Sequence, residues 1–183
     1  MASKLEGMKV AILVADGFEQ VEMTDPRKAL QAAGAKTEII SPIKNKVKGW
    51  HHDKVGDEFD VDVPLDKADP NNYDALLLPG GVINPDQLRL YPQAIEFISK
   101  IAQAGKPIAA ICHGPWTLIN ANVVKNRTLT SWPSLKIDLI NAGANWVDRE
   151  VVRDANLVTS RKPDDIPAFN KTMIELLAET SKK

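Results

Sequence analysis

Apolar runs of strand length alternate along this chain with stretches of helical period. Residues 8–14 (MKVAILV), 74–79 (DALLLP) and 107–111 (PIAAI) are short and almost continuously apolar, as expected of strands buried on both faces. Residues 36–41 read as a further strand, as do segments near 146–152 and 157–160. Helical spacing appears over 92–104, with Ile95, Ile98, Ile101 and Ala102 on one side and Gly105 closing the element. Asp25-Pro26 predicts a helix start, with Asp as N-cap and Pro in the first turn, running to Gly34. Further helices are expected over 133–142 and 165–179. Residues 47–72 are polar, and alternation at Phe59, Val61 and Val63 predicts a short strand or hairpin at the sheet's periphery.

Strand–helix alternation predicts an α/β fold with a parallel, doubly wound sheet and helices on both faces. Such sheets carry their sites beyond the carboxyl ends of the strands. Three segments far apart in sequence fall at such ends: Asp16-Gly-Phe-Glu19, Pro79-Gly80-Gly81 and Cys112-His113. In the last, Ala110, Cys112 and Gly114 form a small-x-Cys-x-Gly pattern, which suits a sharp strand-to-helix turn holding the middle residue out. A thiol facing a helix N-terminus is expected to titrate below the ordinary value of about 8.5 and to serve as a nucleophile. The plain alternative is a buried structural cysteine. Glu19 has two readings, a carboxyl group that hydrogen-bonds the thiol and a solvated loop glutamate like Glu22. The amides of Gly80-Gly81 either form an oxyanion hole or end a strand. His113 is either a base for the thiol or a histidine packed at a turn. Asp86 either orients His113 or caps the next segment.

With 183 residues, 44 % of them hydrophobic and 26 % charged, the chain suits one globular domain over 8–183 behind a flexible start at 1–7. A net charge of −1 gives no case for nucleic acid or an anionic membrane as partner. No apolar run approaches the roughly 20 residues that span a bilayer. A single cysteine makes no internal disulfide, and the cytoplasm is the expected location. The His51-His52 pair lacks further ligands for a closed metal site, and no cofactor is called for.

Asp16-Gly-Phe-Glu19, Asp74-Ala-Leu-Leu-Leu-Pro-Gly-Gly81, the segment 105–115 (GKPIAAICHGP) and Ile140-Asn-Ala-Gly-Ala-Asn-Trp-Val-Asp148 together resemble the DJ-1/PfpI superfamily. The resemblance is to its PfpI branch of intracellular proteases and stress-linked deglycases, from Met8 to the C-terminal helix. It implies a flavodoxin-like three-layer sandwich with Cys112 as nucleophile on a strained elbow. Glu19 would hydrogen-bond the thiol, His113 would be the general base, and the amides of Gly81 and His113 would bind an oxyanion. A carboxylate after the Gly-Gly turn, matched here by Asp86, would complete the triad from a neighbouring subunit. A homodimer or hexamer with a shared active site follows as an expectation.

The expected activity is that of a cysteine hydrolase acting on glyoxal-type carbonyls or their protein adducts, a deglycase or glyoxalase in stress protection. A peptidase or amidase would use the same nucleophile for acyl transfer on a peptide. A third class is a non-enzymatic stress protein, with Cys112 as a redox sensor or the surface as a holdase.

Overall fold

The computed structural model describes residues 3–181. In chain order the elements begin β1 (Lys9–Leu13), β2 (Phe18–Glu19), α1 (Gln20–Ala32), β3 (Lys36–Ser41), β4 (Lys46–His51), β5 (Lys54–Asp60) and β6 (Val63–Pro64). They continue β7 (Ala75–Leu78), α2 (Ile83–Leu88), α3 (Pro92–Gln103), β8 (Ile108–Ile111), α4 (Trp116–Asn120) and β9 (Thr128–Leu129). The last are α5 (Lys136–Asn141), β10 (Asn145–Trp146), β11 (Val152–Asp154), β12 (Leu157–Ser160) and α6 (Ile166–Thr180).

The main sheet has the order β11-β12-β8-β7-β1-β3-β6. All neighbours run parallel except β11, which pairs antiparallel with β12 at one edge. The three apolar runs lie side by side at the centre, where both faces must be covered. Period-two alternation divides each of them between two cores. Val10, Ile12, Val14, Leu77, Ala109 and Ile111 face one side, against Met23 and Leu30 of α1 and Phe169, Met173 and Leu177 of α6. Ala11, Leu13, Leu76, Leu78, Ile108 and Ala110 face the other, against Phe97, Ile98 and Ile101 of α3, Leu118 of α4 and Leu139 of α5. This is the three-layer α/β arrangement expected. No helix among the described residues is long and apolar enough to cross a membrane.

Three local expectations are corrected. The first is the flexible start over 1–7. Residues 1 and 2 lie outside the described residues, but Leu5 is fully buried in the α1/α6-side core and its N–H donates to the Ala33 carbonyl. Helix α1 begins at Gln20, leaving Pro26 inside it. Its buried face, Glu22, Met23, Pro26 and Leu30, repeats at helical spacing, and that burial outweighs the start signal of Asp25-Pro26. The polar excursion does contain a hairpin, β4–β5. The hairpin itself forms a separate sheet of order β2-β4-β5 that stands over the carboxyl ends of the central strands, while the short strand β6 from the same stretch does pair with β3 at the edge of the main sheet.

Candidate active site

Adjacent central strands β1, β7 and β8 end together, and one buried side chain ties two of the ends. Asn84 Oδ1 accepts from the Ala15 N–H at 2.7 Å, while its Nδ2 donates to the carbonyls of Pro79 at 3.0 Å and Gly80 at 3.1 Å. The third end carries Cys112, whose φ of +62° puts a non-glycine residue in the left-handed region. Such a conformation costs about 1–3 kcal/mol and persists only where surrounding bonds impose it. Here the Cys112 N–H donates to Ser160 O at 3.0 Å and its carbonyl accepts from Trp132 N at 2.9 Å.

The thiol is almost wholly removed from solvent, at a relative exposure of 7 %. His113 Nδ1 lies 3.3 Å from Sγ. The backbone amides of Gly81 and His113 are near enough to the sulfur to favour its anion. Gly81 has a φ of +77°, and a Cβ there would collide with the Gly17 carbonyl and the Glu19 nitrogen, so only glycine brings this amide so close. The His113 ring stacks on Trp132, with centroids 6.0 Å apart and planes 22° apart, and meets Trp116 at 5.9 Å on a tilted face. Its second ring nitrogen has no hydrogen bond within the chain among the described residues. Burial lowers the His113 pKa, so the ring favours its neutral form.

The carboxyl group at the thiol is that of Glu22, not Glu19. Glu22 is fully buried, and its Oε2 accepts from the Gly80 N–H at 3.2 Å. A Cβ built on Gly80 would stand 2.6 Å from Glu22 Oε2 and 2.7 Å from the Cys112 Cβ, so Gly80 is the gap across which the two side chains meet. Burial drives the Glu22 pKa well up; the hydrogen bond with Cys112 opposes it, and the charge of Glu19 adds to it. Oε1 is buried without a hydrogen-bond partner among the described residues. Glu19 turns away to the hairpin, where its Oε2 accepts from the His52 N–H at 3.1 Å.

The thiol also departs from expectation. Helix α4 begins only at Trp116 and is five residues long, so no substantial helix terminus faces the sulfur. Burial pushes the Cys112 thiol up, a charge on Glu22 pushes it further, and the amides of Gly81 and His113 pull it down. Two negative charges side by side are disfavoured there, so burial pushes both Glu22 and Cys112 towards their neutral forms.

These groups floor a cavity of about 290 Å³. Glu19, Trp50, His52, Trp132 and Pro163 form its walls. The hairpin wall is clasped in place: the Gln20 carboxamide makes two bonds of 2.8 Å to Asp57, and Asp16 Oδ1 accepts from the Lys48 N–H at 2.8 Å. Asp86 is exposed on α2 and does not line the cavity of its own chain. Among the described residues no group of three or more His, Cys, Asp or Glu could hold a metal ion.

Glu22→Gln provides a thermodynamic check on the buried acid. An unfolded glutamate ionises near pH 4.3. Because the folded pKa lies well above this, the native state keeps a proton that the unfolded state has released, and stability falls as pH rises from about 4.3. Glutamine carries no such penalty and still accepts from Gly80. Its Tm relative to wild type should therefore rise between pH 4 and pH 7 by at least about 2 °C. A difference in Tm that stays constant over that interval would show an ordinary, ionised Glu22.

The chain is 42 % identical to a deglycase of Pyrococcus abyssi over 93 % of its own length and 99 % of that protein. It is 44 % identical to YraA of Bacillus subtilis, named as a candidate cysteine protease, over 92 % of this chain and 98 % of the other. The structure of Drosophila melanogaster DJ-1beta superposes with a TM-score of 0.83 at 27 % identity, covering 96 % of each chain. A family model described as the DJ-1/PfpI family matches residues 8–176, and the chain belongs to that family.

Proposed function

We propose that the protein is a cysteine-dependent hydrolase that converts glyoxal-type carbonyl compounds, free or as protein adducts, to hydroxy acids in protection against carbonyl stress. The observation that carries this reading is the set around Cys112: a strained elbow thiol, an imidazole nitrogen at 3.3 Å, two converging amides and a buried neutral acid. A relative named as a deglycase supports it.

The chemistry follows from the positions. Neutral His113 takes the thiol proton as sulfur attacks the aldehyde carbon of methylglyoxal, forming a hemithioacetal. The amides of Gly81 and His113, and the proton held by Glu22, face the charge that develops at sulfur and at the oxygen of the attacked carbon. His113 then moves a proton from the aldehyde carbon to the neighbouring ketone carbon, leaving a lactoyl thioester. Water cleaves it, so methylglyoxal plus water gives lactate and the free thiol. The cavity, near the small end of ligand-pocket sizes, suits a compact carbonyl group. Purified protein incubated with methylglyoxal should release lactate. Cleavage of peptides without lactate formation would instead establish the peptidase reading.

The site is completed, in this proposal, by a second copy of the chain. Among the described residues His113 has no acceptor for its outer nitrogen, and Asp86 is exposed on α2. On the same segment Val82 and Ile83 are 56 % and 43 % exposed, an apolar margin that a neighbouring subunit would cover.

A further inference from the structure

The cavity's walls differ from its floor in charge. Glu19 is held with its carboxylate at the wall by the His52 N–H, and its side chain is only 12 % exposed. Two indole rings, Trp50 and Trp132, stand at the same mouth, and among the described residues no lysine or arginine lines the cavity. The charge of Glu19 contributes to raising the Glu22 pKa, which places the two carboxyl groups within electrostatic reach of each other. Carboxylate and indole faces are the two protein groups that attract organic cations most directly.

We propose that the mouth of the cavity is a cation-accepting subsite, formed by Glu19, Trp50 and Trp132. Carbonyl adducts that carry an ammonium or guanidinium group then reach Cys112 in preference to anionic ones. The inference rests on the reading of Cys112 as the reacting group and adds the class of substrate that the wall selects.

Two thiol reagents of similar size test it at pH 8. 2-(Trimethylammonio)ethyl methanethiosulfonate is cationic and 2-sulfonatoethyl methanethiosulfonate is anionic. Each transfers its alkylthio group to the Cys112 sulfur, forming a disulfide and releasing methanesulfinate. Rates from intact mass are divided by those of the same reagent with 2-mercaptoethanol, which removes intrinsic reactivity. The normalised cation-to-anion ratio should be about tenfold or more in the wild type. Glu19→Gln, which still accepts from the His52 N–H, should lower it at least about threefold. Trp132→Leu should lower it as well, and carries the test if the glutamine variant does not fold. A wild-type ratio below about two, or a ratio unchanged in the variants, overturns the subsite. The assay needs no turnover: a high ratio without lactate formation leaves the subsite standing and removes the proposed reaction. Lactate formation with a flat ratio does the reverse.

Discussion

Cys112→Ser should lower lactate formation from methylglyoxal at least about 10³-fold and leave the fold in place. The substitution exchanges one atom of similar size at a position 7 % exposed, so the strain at the elbow and its bonds to Ser160 and Trp132 are preserved. The chemistry is not preserved. His113 at 3.3 Å from sulfur is a weak, neutral base, and a serine hydroxyl is far less acidic than even this raised thiol. The oxygen would also sit back from the position that the Gly81 and His113 amides address. Tm should stay within about 3 °C of wild type, which separates lost reactivity from lost folding. Retention of more than one-tenth of the rate would remove Cys112 as nucleophile.

That inactive variant makes the shared site measurable. Asp86→Ala should also be inactive if Asp86 orients the partner subunit's His113. Mixing the two variants under conditions that exchange subunits should restore activity. In a mixed dimer one site combines an intact Cys112 and His113 with an intact Asp86 from the other chain, and the remaining site holds both defects. Random exchange of equal amounts makes half of the dimers mixed, so activity should return to about a quarter of wild type. A monomer in light scattering, or verified exchange without recovery, would falsify the shared site and return Asp86 to an exposed helix residue.

The central layer was legible because its physics is local. Strands buried on both faces need continuous apolar residues, and 8–14, 74–79 and 107–111 have little else. Cys112 was legible because the small residues Ala110 and Gly114 mark a tight turn at a strand end, with the lone thiol at its apex. The carboxyl partner was not. Glu19 and Glu22 are both acidic and one helical turn apart, and the choice between them depends on where α1 begins. A start at Asp25 leaves both in a loop; a start at Gln20 puts Glu22 on the buried stripe with Pro26 and Leu30. The spacing 22, 26, 30 was the available signal, masked by the Asp25-Pro26 pair. The links of Asn84 to Ala15 and of Gln20 to Asp57 span 69 and 37 residues, and no local pattern announces such bonds.

The separate β2-β4-β5 sheet has an evolutionary consequence. The floor of the cavity hangs from strands whose every residue is fixed by two packed cores, where a change of one methylene is felt. Part of the wall hangs from a hairpin with mostly solvated residues, joined to the rest by the Gln20–Asp57 clasp, the Asp16–Lys48 bond and the β2 pairing. Residues such as Trp50 and His52 are therefore free to vary under selection for new substrates without disturbing the reacting groups or the stability of the domain. A fixed set of reacting groups beneath an exchangeable rim lets the rim change while the groups at Cys112 stay in place.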